Sequence, residues 1–541
     1  MGISLRKVLL ALAVVACPNP LPAGELRFSI GADPKTFDPV LTTEQVSETI
    51  RYLTGGVLIR FNRQTQKVEP ELARSWKISD QGKRIDFELR TNVRFSDGAP
   101  FGAADVVATL HRIMTPGLPS GIADSFRSAG GELRTQATSP NHVSVFFSMP
   151  VASLELLFDQ LAISSARSVP PETAVLGPFM LQEHKTGQYV LLKRNPHYWK
   201  TGSRGETLPH LESIRLEILT NRETELLRFR RGELDFLDKL EPEAFERLNK
   251  DVHSGALNVG PSLDTEFLWF NQSPNASFPA YKKAWFHSRL FRRALSAAIS
   301  RDDIVRLVYR GYAHPAAGFV SQANKFWFNS KLSPASHDPQ LALKLLQQDG
   351  FRFDGRTLYD RGGNAVEFSL LTNAGSNTRT QMGAILQQDL IKIGIRLNFL
   401  PIEFQSLIER ITRTAQYEAC LLGLTNVDIE PNSQMNLWLS SGTQHAWNPE
   451  EVKPATAWEA EIDRLAELQH TTTGAAARKV AFDRLQEIVA DETPIIFLVH
   501  PDVLVAVSPS LRNARPSALP PHLYWNVEYL SLSPAEQGGK H

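Results

Sequence analysis

Cysteine is nearly absent: this 541-residue chain holds only Cys17 and Cys420, which argues against a disulfide framework as the source of its stability. An excess of charge of either sign is missing too. Lys and Arg number 58 and Asp and Glu 58, which disfavours nucleic acid or a strongly anionic membrane as the main partner. The one long apolar run, Val8 to Ala16, is too short to span a bilayer. There is no Gly-x-Ser-x-Gly elbow, His-Glu-x-x-His pair, phosphate-binding P-loop or Gly-x-Gly-x-x-Gly turn, so nothing marks a nucleophile, a metalloenzyme or a nucleotide site. Fourteen histidines are scattered, none paired at metal-ligand spacing on one recognisable element; His314 and His445 read as surface or packing residues. No catalytic residue, resident metal or cofactor is expected. Internal repeats and low-complexity segments are also missing.

What is there is ordinary globular material, 42% apolar and 21% charged, in a chain too long for one core, so two or three domains are expected. Arg6 and Lys7 precede Val8–Ala16 in the manner of a secretory signal; a buried N-terminal helix is the other reading. Val14-Val15-Ala16-Cys17 resembles a lipobox, which would make Cys17 a lipid-attachment residue; signal-peptidase cleavage near Pro22-Ala23-Gly24 is the alternative. Cys420, in an apolar run, reads as a small buried hydrophobe.

Periodicity supplies the elements. Leu26, Phe28 and Ile30 alternate with polar residues as a first strand, and Ile85, Phe87 and Leu89 as another. Asp97-Gly98 is a turn, after which Val106, Leu110 and Ile113 form a helix face. Ile214, Leu216 and Ile218 make a strand, and a helix over 222–231 stops at Gly232. Glu233 and Asp235 would share a strand face, open to a paired-carboxylate reading or to a solvated strand edge. Ser300 and Asp303 have capping-box spacing. Asp338-Pro339 opens a helix whose apolar face is Leu341, Leu345 and Leu346. Met382, Ile385, Leu386, Leu390 and Ile393 form a helix ending at Gly394, and Ile395, Leu397 and Phe399 the next strand. Trp458, Ile462 and Leu465 mark a late helix, Leu485, Ile488 and Val489 another, and Pro494 to Val499 an apolar strand.

Six or more of these stretches occur in one telling order. Val57-Leu58-Ile59-Arg60-Phe61-Asn62-Arg63 leads through Pro70-Glu71-Leu72-Ala73 to Phe95-Ser96-Asp97-Gly98. Gly177-Pro178-Phe179, Arg194-Asn195-Pro196-His197-Tyr198-Trp199, Gly232-Glu233-Leu234-Asp235 and Phe267-Leu268-Trp269-Phe270-Asn271 follow. From about Leu26 to Leu530 the chain resembles the family 5 extracellular solute-binding proteins, the peptide and nickel binders of ABC importers.

That resemblance implies an α/β, type II periplasmic-binding-protein fold, with two lobes built from three domains around a hinge of crossing strands. Residues 1–23 would be signal; 24–51, 172–270 and 500–541 would form a discontinuous domain, 52–171 an inserted one and 271–499 the third. It implies a non-enzymatic, monomeric periplasmic or cell-envelope carrier that delivers a peptide-like or other small organic solute to permease subunits. A secreted enzyme, a ligand sensor or a metal- or haem-chelate binder is the competing class. Ligand contacts are expected from Thr36, Phe37, Trp269, Asn271, Asn373, Thr425, Asn426, Val427, Asp428 and Trp438. Trp269 and Asn271 also fit packing and turn roles, and Trp327, Trp438 and Trp447 fit either cleft walls or core.

One departure from the family bears on cargo. Peptide-binding members place an amine-pairing aspartate four residues before the proline of the segment matching Gly423 to Pro431, and Val427 stands there. Asp428 is adjacent and, in an extended segment, faces the other way. Leu370-Leu371-Thr372-Asn373 stands where dipeptide binders carry a carboxylate-pairing arginine. Free di- and tripeptides are therefore expected to bind poorly, because closing over unpaired charges costs several kcal/mol.

Overall fold

The structure, a computed structural model, describes residues 24–251, 255–425 and 428–533. Val8–Ala16, Cys17, Asn426 and Val427 lie outside the described residues.

Three sheets carry the chain. Glu25–Ile30 pairs in parallel with Ser213–Ile218, and Tyr189–Arg194 and Phe179–Lys185 complete a four-stranded sheet. A second, antiparallel sheet runs Ala73–Ser79, Arg84–Leu89, His142–Phe147, Leu133–Ser139, and the Ala103–Ile113 helix buries Val106, Leu110 and Ile113 in the same core as Ile85, Phe87 and Leu89. The third sheet has eight strands, ordered Phe236–Leu237, Ile495–Val507, Thr265–Phe270, Ala419–Leu424, Glu367–Asn373, Arg396–Ile402, with Ala256–Pro261 and Ala313–Pro315 also on Ile495–Val507.

This third sheet joins the lobes. The first half of Ile495–Val507 pairs with Thr265–Phe270, through Ile495↔Trp269 and Val499↔Glu266. Its second half pairs with Ala256–Pro261 and Phe236–Leu237. The chain thus crosses between the lobes twice, within Ile495–Val507 around His500–Asp502 and between the consecutive strands Ala256–Pro261 and Thr265–Phe270. At that crossing Thr265 and His500 share a 3.0 Å hydrogen bond, and burial depresses the imidazole of His500 to about 4, so it stays neutral.

Strand alternation explains why the second lobe has a core on each face of the sheet. Leu268 and Phe270 point into one, with Phe286, Phe291, Phe368 and Leu386; Phe267 and Trp269 point into the other, with Tyr417, Trp438 and Phe497.

Most local readings reappear. Ser300 and Asp338 accept N-cap hydrogen bonds from Asp303 (3.2 Å) and Leu341 (2.8 Å). Gly394, at φ 78°, supplies the left-handed residue after the Asn377–Lys392 helix. Cys420 is fully buried. Two readings are corrected. On the Pro339–Gln348 helix, Ala342 and Leu346 are buried while Leu341 is exposed, because the i,i+4 pair facing the core is one residue out of phase with the leucine pattern. Asp235 is not on a solvated edge: it is buried and accepts the Arg27 amide at 2.6 Å, which ties the segment to the first strand. No helix among the described residues is long and apolar enough to cross a membrane.

Candidate ligand site at the seam between the lobes

The lobes touch through a hairpin of the first and two segments of the second. Strands Ile59–Phe61 and Val68–Pro70 are joined by a turn in which the Asn62 side chain accepts the amides of Gln64 and Thr65, each at 3.0 Å. The turn presents Gln66, at φ 56°, to the other lobe. Its amide nitrogen donates to the Ala323 carbonyl at 2.6 Å and its oxygen accepts the Lys325 amide at 3.1 Å. The Lys325 ammonium returns a bond to the Gln64 carbonyl at 3.1 Å. Below this tip Phe61, Leu263, Ala323 and Leu519 form a small apolar cluster, flanked by Leu156, Ile429 and Ala518. Elsewhere on the seam Arg478 reaches across to the Ser153 hydroxyl at 2.6 Å. The lobes are closed on one another.

The charges along this seam are unevenly satisfied. Arg63 pairs with Asp159 at 2.9 Å and passes over the Phe61 ring, and Asp159 also accepts the Phe61 amide at 2.8 Å. Arg478 is committed to Glu430 and to Gln469, and Arg379 grips both carboxylate oxygens of Glu266. Asp428 differs. Among the described residues it has no ion pair within 4 Å, and its side chain accepts the Glu430 amide at 3.1 Å. Burial, and then the neighbouring Glu430 charge, push its carboxyl up to about 6, although Arg63 pulls the other way.

The expected contact residues are spread over several surroundings. Asp428 reaches the seam; Thr425 is exposed. Thr36 and Phe37 sit in the first lobe, where the Thr36 hydroxyl accepts the Asp38 amide and the Phe37 ring meets His184 edge-on. Asn373 accepts a bond from Arg379 at 2.7 Å. Trp269 is buried with its indole N–H on the Tyr417 hydroxyl, and Asn271 donates to the Ala415 and Tyr417 carbonyls, so both serve the second lobe's interior. Trp438, with Trp327 and Trp447, is buried in the same core, its ring centroid 4.1 Å from that of Phe319 and the two planes tilted by 36°. His314 lies 3.0 Å from Asp502 beside the hinge. Residue patterns alone passed over Arg63, Gln66, Asp159 and Lys325 at the seam. Only the Asn62 turn hinted at them, and a turn signal carries no information on what it will touch.

A two-lobed fold whose halves are linked by crossing strands and meet in a charged seam defines a class, the proteins that close around a solute. The comparisons agree. Residues 67–446 match the family described as bacterial extracellular solute-binding proteins, family 5 middle region, and the chain belongs to that family. It is 24% identical over 539 residues (95% of this chain, 96% of the relative) to the probable D,D-dipeptide-binding periplasmic protein DdpA of Escherichia coli. It is 25% identical over 433 residues (73% of this chain, 72% of the relative) to a probable ABC transporter-binding protein of Deinococcus radiodurans. The crystal structure of the ABC transporter substrate-binding protein CtaP of Listeria monocytogenes superposes with a TM-score of 0.79 at 21% identity, covering 95% of this chain and all of that one.

Proposed function

We propose that this chain is the extracytoplasmic solute-binding component of an ABC importer, that it has no catalytic activity, and that its cargo is a peptide-like organic solute held in the seam. The observation that supports this most directly is the closed hinge: two crossings of the chain between the lobes, with polar and apolar contacts that exist only while the lobes meet. Such a protein responds to ligand because the closed state gains contacts the open state lacks. The division into 24–51 with 172–270 and 500–541, 52–171, and 271–499 is part of the proposal. It is supported by separate apolar cores that fall largely inside these bounds, one over 40–176 with Trp199 packed against it and two over 267–499. Export through the N-terminal segment and lipidation at Cys17 complete it, supported by Arg6, Lys7 and the Val14–Cys17 pattern.

Charge at the seam narrows the cargo. Asp428 is a carboxyl with no cation bonded to it, whereas Arg63, Arg379 and Arg478 are each taken by an acid. The seam can therefore accept an ammonium group, while the charge of each of these three guanidinium groups is already matched by an acid and only the Nε of Arg63 is left without a partner among the described residues. A solute with an amine and a blocked or missing carboxylate fits; with Asp428 as the amine's partner, the expected poor binding of free di- and tripeptides rests on the carboxylate end alone. Calorimetry with a dipeptide and its C-terminal amide tests this. The amide should bind at least tenfold more tightly than the free acid, and Asp428→Asn should weaken it by about tenfold or more, near 1.4 kcal/mol. Equal or tighter binding of the zwitterion, or no effect of Asp428→Asn, would refute the assignment.

A further inference from the structure

Away from the seam, three side chains in the loop and helix that follow Trp438 converge without completing one another. A ring nitrogen of His445, a carboxylate oxygen of Glu451 and one of Glu459 all lie within 4.8 Å of each other. His445 is fully buried, Glu459 nearly so and Glu451 half-buried. His445 Nδ1 faces the Leu437 carbonyl at 3.2 Å, and a carbonyl can only accept, so Nδ1 carries a proton and Nε2 is the ring nitrogen left for the acids. Among the described residues that nitrogen has no hydrogen-bond partner, and neither has Glu451 Oε2. The nearest approach of Nε2 to Glu459 Oε1 is 4.0 Å, too long for a hydrogen bond. Unpartnered polar atoms grouped in a protein interior are costly, and two close carboxylates repel one another.

We propose that His445, Glu451 and Glu459 form a divalent transition-metal site. One nitrogen and two carboxylate oxygens suit a first-row ion such as zinc. Donor atoms about 2.0–2.2 Å from such an ion stand roughly 3–4 Å apart, so these donors, with His445 Nε2 and Glu459 Oε1 at 4.0 Å and all three within 4.8 Å, would draw slightly together around it. Each donor is also held by an outer partner, as in built metal sites. Leu437 fixes the imidazole, Asn448 bonds the other oxygen of Glu451 at 2.6 Å, and Glu459 is held by Trp447 at 2.8 Å and by the Thr456 capping box. A bound ion would neutralise the two carboxylates and pin the 440–451 loop to the Ala457–Thr471 helix. The Trp447 carbonyl of that loop accepts the Gln272 amide, just beyond the strand that leaves the hinge.

The histidine and acids are six and eight residues apart along the chain, which no metal-motif spacing describes, so the expectation of no metal followed from sequence. The test uses the full mature protein, passed over chelating resin and titrated with zinc chloride. Bound metal is counted after desalting, the melting temperature is recorded, and the visible spectrum is taken with cobalt in place of zinc. Wild type should take up one equivalent that His445→Gln and Glu451→Gln each weaken at least tenfold, and only wild type should gain a few degrees and show the cobalt bands. Glu451→Gln, at a half-buried loop position, keeps the test open if His445→Gln does not fold. No saturable uptake, or uptake that both variants retain, as for metal held in the seam or on surface histidines, overturns the proposal.

Discussion

Replacing Glu528 by Gln should cost the fold about 3 kcal/mol at neutral pH and less than half of that at pH 3. Glu528 is fully buried near the C-terminal end of the described chain. It pairs with Arg60 of the seam hairpin and with Lys200 at 3.0 Å, and Lys200 also bonds Glu71 at 2.7 Å. Burial alone would push this carboxyl up, but the Arg60 and Lys200 charges outweigh burial and hold it at about 2, down from an ordinary 4.5. A folded value below the unfolded one means that ionised Glu528 stabilises the fold above the unfolded value. The contribution is lost as pH falls from about 4.5 through about 2. The shift corresponds to roughly 3 kcal/mol at pH 7, of which about 1 kcal/mol remains at pH 3. Removing one member of a buried ion group typically costs ~3–5 kcal/mol, which agrees. Urea unfolding of wild type and Glu528→Gln, followed by tryptophan fluorescence at pH 7, 5 and 3, reads the gap between them. Other carboxylates titrate in both proteins and cancel. A gap that is the same at pH 3 as at pH 7, or one below about 1 kcal/mol at pH 7, would refute the argument.

Ser153→Ala removes the hydroxyl that takes the Arg478 bond across the seam. Arg478 keeps Glu430 and Gln469, so the loss should be about 1 kcal/mol, a roughly fivefold shift toward the open form. Small-angle scattering of the cargo-free protein should show a larger radius of gyration than wild type; an identical radius would count against the latch. For the anchor, Cys17→Ser should move the protein from the membrane to the soluble periplasmic fraction. A wild type already soluble and starting near Gly24 would remove the lipidation reading.

Local chemistry and periodicity were enough for much of this protein. The alternation at Leu26–Ile30 and Ile85–Leu89, the caps at Ser300 and Asp338 and the glycine stop at Gly394 depend on near neighbours, so a linear reading reaches them. The order of those elements, with Phe267–Asn271 and Arg194–Trp199 in place, was enough for the family and its fold. Which face of an element meets which partner was a different matter. Leu341 and Ala342 fit one helix equally well, and packing against the second-lobe core chose Ala342. Trp269 and Phe270 are adjacent, yet they enter cores on opposite sides of one sheet because a strand turns successive side chains to opposite faces. The seam and the proposed metal cluster were settled wholly by tertiary structure. Gln66 meets Lys325 across 259 residues of chain, Arg63 meets Asp159 across 96, and His445 faces Glu459 from a loop. Contacts of that kind depend on how whole lobes close, and that closure is set by sheet pairing and burial summed over hundreds of residues, with no signature at the contact itself.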